Sequence, residues 1–389
     1  MSSRMWVAAA LYFFQFVAVG VYFTFLNVYL KTMGLSGAEI GLIGMTTGIT
    51  SMAGTFAWGY LSDRTGQPRW LLAMAAVGAL LAAQLLPLVD TWDLQPMFAW
   101  YVIINGVVGL MYAALSTLID STAVAMLGGH RQKYGRYRLG GSLGFIVGGM
   151  ASGCIYDQVG YGWMFPLFAV VMVVFAGFAL LLPARVVRLA SSGGREIGRM
   201  VRQPEWLLLI ASLFLFWAGY NISFVFNGVI LKAMGGSDQL ISWASVIGTI
   251  VEIPFMAFSG RLIQRYGPTR LLALGLLLQT IRFVLLAQMR DPVWAVAFNM
   301  LNGPGYVLFW NSAVYLVARM APPGLGATAQ GFLTSALNLA GITSSALRGV
   351  VYDQFGSSGL YWVVAAFCLA SLVLFGVGFL WRRPPVAPG

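Results

Sequence analysis

Charge is what this chain has least of. Only 9% of its 389 residues are Asp, Glu, Lys or Arg, while 59% are hydrophobic and the mean hydropathy is +0.80. An ordinary soluble domain carries roughly 25% charged residues, and a single water-soluble core cannot plausibly bury so much apolar surface at this length. Histidine is nearly absent: His130 stands alone, which leaves no histidine set for a zinc site. The two cysteines, Cys154 and Cys368, sit in apolar surroundings and define neither a disulfide framework nor a metal motif. The sequence carries no nucleophile–base set, metal cluster or phosphate-cradling glycine loop. No metal, no cofactor and no enzymatic activity are therefore expected. The net charge of +11 is scattered over short segments between apolar stretches, and no nucleic-acid partner is expected from it.

What the chain has is apolar length. A bilayer crossing takes roughly 20 apolar residues. Such stretches follow one another at 6–30, 39–61, 69–89, 96–127, 136–157, 162–182, 206–231, 240–263, 270–289, 293–319, 327–352 and 359–381. The pattern predicts an all-α membrane protein with twelve transmembrane helices. The first stretch, from Trp6 to Leu30, is too long for the core of a cleavable signal peptide and reads as a signal anchor. Ser36 and Glu39 have the spacing of a capping box at the start of the second span. With the N-terminus inside, 17 of the 23 Lys and Arg residues fall on predicted inner segments. Outer loops hold Lys31, Lys232 and Arg290, and Arg138, Arg282 and Arg348 fall within spans. This bias predicts a multi-pass protein of the cytoplasmic (inner) membrane, embedded in the lipid bilayer, with both termini cytoplasmic. A functional monomer is expected. The segment 183–205 holds Ser191, Ser192, Gly193 and Gly194 among five arginines. It reads as a solvated cytoplasmic linker between an N-terminal six-helix half, 1–182, and a C-terminal six-helix half, 206–389.

The two halves resemble each other. FTFLNVYLKTMG at 23–34 aligns with FVFNGVILKAMG at 224–235, with seven of twelve positions identical at an offset of 201. The same offset carries Gly59, Arg64 and Gly66 onto Gly260, Arg265 and Gly267. GCIYDQVG at 153–160 matches GVVYDQFG at 349–356, at an offset of 196. The matches keep their order, which predicts a parallel repeat of six spans, an architecture of secondary transporters.

The joint between spans 2 and 3 reads Gly59-Tyr-Leu-Ser-Asp63-Arg64-Thr-Gly66-Gln-Pro-Arg69. Gly66 and Pro68 suit a tight reversal, and Asp63 with its arginines can pair across helices to hold one conformation. The motif resembles the signature loop of the major facilitator superfamily, and with twelve spans and a midpoint linker the resemblance covers essentially the whole chain. It implies a central cavity between two six-helix halves, rocking-type alternating access, and a gating role for Gly59, Asp63, Arg64, Gly66 and Arg69. A plain positive-inside turn is the alternative. The second-half loop has Gln264 in place of the aspartate. Small residues that let helices pass closely recur on span 5 (Gly140, Gly144, Gly148, Ser152) and span 11 (Gly341, Ser345, Gly349).

Ionisable residues inside a membrane are functional hypotheses by default. Asp120 and Arg138 stand nine residues either side of Gly129, and Glu252 and Arg282 fifteen either side of Gly267. At about 1.5 Å rise per residue, each pair lies at equal depth. Structural ion pairs and cavity-facing roles both fit this. Arg348, close to the outer end of span 11, is expected to snorkel.

Tyr134-Gly135-Arg136-Tyr137-Arg138, with Gly141 and Gly144-Phe145 beyond, resembles the start of span 5 in lactose-permease-type sugar symporters and in related nucleoside and phenylpropionate permeases. The lactose permeases pair an acid eighteen residues upstream with the second arginine in sugar binding, and Asp120 has that spacing to Arg138. Glu252 and Arg282 resemble that group's positions on spans 8 and 9. The departures are Asn302 and Gly305, where that group carries its coupling histidine and glutamate, and Leu337 near its lysine. Proton coupling would then fall to Asp120 or Glu252, with Arg282 alongside. Among uncharged residues, Tyr22, Asn27, Tyr220, Asn221, Asn302 and Asn338 are candidates for hydrogen bonding or stacking with a solute, as is Trp310; interhelix bonding is the plain alternative.

The expected function is secondary active transport of a small organic solute (a sugar, nucleoside or aromatic acid) by proton symport. The alternative is a proton-antiport exporter of drugs or metabolites. A solute sensor or scaffold that moves nothing is a third reading, disfavoured because no soluble signalling domain is present.

Overall fold

The computed structural model describes residues 5–92, 95–127, 134–182, 202–321 and 326–381. Every regular element among them is helical. Helix α1 comprises Met5–Ala18, a π-helical turn at Val19–Phe23, and Thr24–Thr32. Then come α2 (Gly37–Thr65), α3 (Pro68–Gln84, extended by Leu86–Thr91), α4 (Met97–Leu127), α5 (Tyr134–Val159) and α6 (Met164–Leu180). The second series is α7 (Pro204–Ala233), α8 (Asp238–Tyr266), α9 (Pro268–Ala287) and α10 (Asn302–Met320, preceded by the short Trp294–Asn299). A break at Gly356 (φ 66°, ψ −166°) divides the helical run Gly326–Phe375 into α11 (326–355) and α12 (357–375).

Among the described residues, ten stretches are long and apolar enough to cross a membrane. Helix α10 is not among them, and α11 contributes only its end from Leu347. Their composition explains this: α10 carries Asn302, Asn311 and Ser312, and α11 carries Gln330, Thr334 and Asn338. They complete the set of twelve.

Local chemistry ends these helices where the sequence says it should. Ser36 Oγ accepts from the Glu39 N–H (3.2 Å), and Glu39 returns a bond to the Ser36 N–H (2.8 Å), the expected capping box. Gly66 closes α2 in the left-handed conformation and Pro68 opens α3 at its first position. The positive-φ glycines among the described residues are Gly34, Gly66, Gly160, Gly235, Gly267 and Gly356. They form three pairs, 34/235, 66/267 and 160/356, at the offsets of the sequence repeat. The two series therefore place positive-φ glycines at matching positions, although Gly66 (ψ 16°) and Gly267 (ψ 150°) differ in the rest of the turn.

By packing, the chain divides into two compact units. Unit 1 is Met1–Ala190 with Gly228–Val246, and unit 2 is Ser191–Asn227 with Ile247–Gly389. The expected linker, 183–205, lies outside the described residues up to 201. Within unit 1, α5 lies directly against α1: a Cβ on Gly144 would overlap the Phe13 carbonyl oxygen, and one on Gly148 would come within 2.5 Å of that of Val17. The small-residue face of α5 is thus a backbone-to-backbone contact. On α11 the corresponding Gly341 is more open, its nearest neighbour being Asn221 Oδ1 at 3.8 Å from a built Cβ.

The stretch 228–246 belongs with unit 1 because α5 grips it. Asp157 accepts the backbone N–H groups of Asp238 (2.6 Å) and Gln239 (3.0 Å), capping α8 from another helix. The Asp238 carboxylate accepts from Lys232 Nζ (2.8 Å) and Tyr161 Oη (2.5 Å). Gly153 leaves room for Ser242, and Gly228 packs on Val28.

Candidate functional site

Unit 2 gathers polar side chains where the sequence is otherwise apolar. Arg282 on α9 is 7% exposed. Its Nε donates to Asn299 Oδ1 (2.8 Å), and its Nη1 donates to Gln279 Oε1 (2.8 Å) and Asn302 Oδ1 (2.9 Å). Gln279 Nε2 also donates to Asn302 Oδ1 (3.1 Å), and Tyr220 Oη reaches the same oxygen at 3.3 Å. The guanidinium lies over Phe283 (4.6 Å) and Tyr220 (6.0 Å).

The local sequence builds this cluster simply. Gln279 and Arg282 are three residues apart, on one face of α9. Asn302 is the first residue of α10, and Asn299 ends the short helix before it. Gly305 makes the space: a Cβ there would meet Gln279 Nε2 at 2.9 Å. Gly303 likewise lets α10 approach the Glu252 backbone N–H, at 2.7 Å from a built Cβ.

Two rows of aromatic rings adjoin the cluster. Trp217, Tyr220 and Phe224 line α7, with successive planes inclined by 19° and 16°. Tyr306 and Trp310 on α10 are inclined by 10°. Across the rows, Tyr220 lies 5.8 Å from Tyr306, and Trp217 lies 5.8 Å from Trp310. Trp217, Tyr220, Asn221, Asn302, Tyr306 and Trp310 are all half-buried, so each keeps some accessible surface.

Unit 1 has a smaller polar set between α1 and α4. Tyr12 Oη donates to Asp120 Oδ1 (2.5 Å) and Gln15 Nε2 donates to Ser116 Oγ (2.5 Å). Tyr112 Oη donates to the Gln15 carbonyl oxygen (2.7 Å). Asp120 is half-buried, and Arg138 is exposed near the start of α5.

The structure brings Tyr220, Asn302 and Arg282 together, with Asn221 one residue along α7. Its amide donates to the Trp217 carbonyl oxygen at 3.0 Å. Arg282 directs its hydrogen bonds to amide oxygens; equal depth with Glu252 had left a structural ion pair and a cavity-facing role both open. Glu252 is half-buried on α8. Tyr22 stands apart: it is fully buried in unit 1, its ring 4.6 Å from Phe168. Asn27 is buried on α1 and Asn338 is exposed on α11. The snorkelling expected of Arg348 is not what is found. Arg348 is 4% exposed, with its guanidinium 5.9 Å above the Phe226 ring, so it is buried rather than extended. In the loop motif, Gly59 lies within α2, Arg64 is exposed, and Arg69 leans over Trp70 at 5.5 Å. The side chain of Asp63 lies outside the described residues.

Sequence reasoning overlooked Gln279, Asn299, Trp217 and Tyr306. The helical spacing of Gln279 to Arg282 and of Trp217 to Tyr220 was the available signal. It also read Asp157 only as a marker of the repeat. No group of three metal-ligating side chains comes together among the described residues.

The profile of the MFS_1 like family matches residues 5–363. The chain is similar to the maltose permease of Geobacillus stearothermophilus, at 31% identity over 332 residues, covering 84% of this chain and 82% of that one. It is also similar to the probable 3-phenylpropionic acid transporter of Escherichia coli (strain K12), at 23% identity, covering 100% and 99%. Among solved structures, the nucleoside transporter NupG superposes with a TM-score of 0.81 at 19% identity, covering 98% of this chain and 100% of that one. A D-xylose-proton symporter superposes with a TM-score of 0.72 at 17% identity, covering 98% and 97%. Twelve helices in two parallel-repeat halves are thus the major facilitator fold, and the chain belongs to the MFS_1 like family of membrane transporters.

Proposed function

We propose that the protein is a proton-coupled symporter that brings a small organic solute across the cytoplasmic membrane by alternating access, with both termini cytoplasmic and a monomer as the working unit. The observation that carries the reading is the Arg282–Gln279–Asn299–Asn302–Tyr220 cluster, charged and polar at membrane depth, with half-buried aromatic rings beside it. Such groups in a transmembrane bundle mark a solute path. The cluster would orient the solute through hydrogen bonds while the rings take its apolar face. Relatives named for maltose, 3-phenylpropionic acid and nucleosides bracket the solute class as a sugar, a nucleoside or an aromatic acid.

Asp120 and Glu252 are the proposed proton carriers. Both are half-buried acids within spans, and ionisable groups so placed mark proton relays. Asp120 has Tyr12 as a donor that can follow the change of charge. Arg138 is a proposed electrostatic partner of Asp120, and Gly59, Asp63, Arg64, Gly66 and Arg69 are the proposed gating loop. The test is uptake by the purified protein in proteoliposomes under an imposed proton gradient. Asp120→Asn or Glu252→Gln should abolish accumulation while sparing exchange. Full accumulation in both variants would sink the assignment of the carriers. The second reading is a proton-antiport exporter of drugs or metabolites; a relative of Dickeya zeae (strain Ech586), 21% identical over 387 residues, is named for multidrug resistance.

A further inference from the structure

We propose that unit 2 selects its solute by charge, and that the solute is an aromatic monocarboxylate: its carboxylate faces Arg282 and its ring lies on Trp217, Tyr220, Tyr306 and Trp310. The inference rests on the transport reading and narrows it to one chemical class. It departs from the 31%-identical relative, whose name specifies a neutral sugar.

Three observations carry it. First, the groups bonded to Arg282 are neutral. Its Nε and Nη1 go to the amide oxygens of Asn299, Gln279 and Asn302. Those dipoles orient a guanidinium without cancelling its charge, and an arginine at membrane depth calls for an anion. Second, the fork is only partly used. Among the described residues Nη2 makes no hydrogen bond, and it is not one of the sealed, unpartnered polar atoms. A guanidinium presents five N–H donors in fixed geometry, so one edge remains for a carboxylate oxygen. The amides hold that edge in place, which spares the solute the ordering of a long side chain. Gly305 is part of the arrangement, because its missing side chain admits Gln279, so that an amide lies where a residue at 305 would otherwise extend.

Third, the neighbouring surface suits a flat apolar body. The rings of each row are inclined by 10° to 19° to one another. The centroid spacing of 5.8 Å between rows is too small for a ring to enter between them. The solute ring would therefore lie across the accessible edges and faces. Tyr220 joins the two regions, since its hydroxyl touches Asn302 and its ring lies under Arg282.

The test uses the full-length protein purified in detergent, with tryptophan fluorescence as readout because Trp217 and Trp310 line the surface. The probes are benzoate, 3-phenylpropionate and 4-hydroxyphenylacetate, each beside its primary amide, with maltose and uridine as neutral polar solutes. At least one acid should quench saturably and bind at least about tenfold more tightly than its amide, as expected for a charge-assisted contact. Arg282→Lys should keep the preference at lower affinity, and Arg282→Gln should remove it. If either variant fails to fold, the acid–amide comparison on the wild-type protein decides alone. Equal binding of acid and amide, or tighter binding of maltose or uridine than of every acid, would overturn the proposal. Transport of those neutral solutes in proteoliposomes would then leave the symport reading standing. Loss of all flux, for acids and neutral solutes alike, would instead remove the transport reading beneath it.

Discussion

Replacing Asp157 with alanine should release the first turn of α8. The Asp157 carboxylate accepts two backbone N–H groups, those of Asp238 at 2.6 Å and Gln239 at 3.0 Å. These are among the four N–H groups that a helix start cannot satisfy internally. A capping side chain contributes about 1 kcal/mol, and a charged acceptor at the positive end of the helix dipole adds up to about another 1–2 kcal/mol. The alanine variant should therefore lose about 1–3 kcal/mol of local stability. By the relation of tenfold per roughly 1.4 kcal/mol, amide protection at the start of α8 should fall by a factor of about 5–150. Hydrogen–deuterium exchange on peptides covering 234–246 would measure it. Asp157→Asn, which retains one carbonyl acceptor but no charge, should fall between the alanine variant and the wild type. The Lys232–Asp238 contact and the Tyr161 hydroxyl should persist, because neither uses Asp157. Unchanged exchange over 234–246 in the alanine variant would refute the claim that Asp157 is what holds this stretch to α5.

Further outcomes follow from the same contacts. Gly144→Val should cut the yield of folded protein sharply, since even a Cβ would overlap the Phe13 carbonyl oxygen; size-exclusion profiles of detergent extracts would report it. Ser36→Ala should lower thermal stability by about 1 kcal/mol through loss of the capping box, measured by thermal unfolding, with little change in transport. Tyr12→Phe should leave the fold intact but lower accumulation in proteoliposomes, because the Asp120 carboxylate would lose its hydroxyl donor.

Much of the architecture was legible because membrane burial writes itself into composition. Apolar runs give the spans, and the glycines of the repeated turns give the pairing of the halves. Gly34 and Gly235, Gly66 and Gly267, and Gly160 and Gly356 adopt positive φ in both copies. The polar helices α10 and α11 carry a weaker apolar signal, because residues such as Asn302, Asn311, Gln330 and Asn338 lower it. The candidate site was only half legible. Arg282, Asn302 and Tyr220 are conspicuous as polar residues in apolar runs. Gln279 and Asn299 matter only because of how α9 and α10 face each other. Equal depth along two helices likewise does not fix rotation about them, which is why the Arg282 contacts with amides were not foreseen. Arg348 was misread for a related reason: its nearness to a helix end carries no information about the Phe226 ring that covers it.

The central claim is that solute movement and proton movement share one cycle. Solute-induced pH change in lightly buffered proteoliposomes, with no gradient imposed, tests it most directly. Adding a transported solute outside should make the medium more alkaline as protons enter with it. An uncoupler should collapse the signal, and Glu252→Gln or Asp120→Asn should remove it. Acidification would instead identify antiport, and solute entry with no proton signal of either sign would contradict proton coupling altogether.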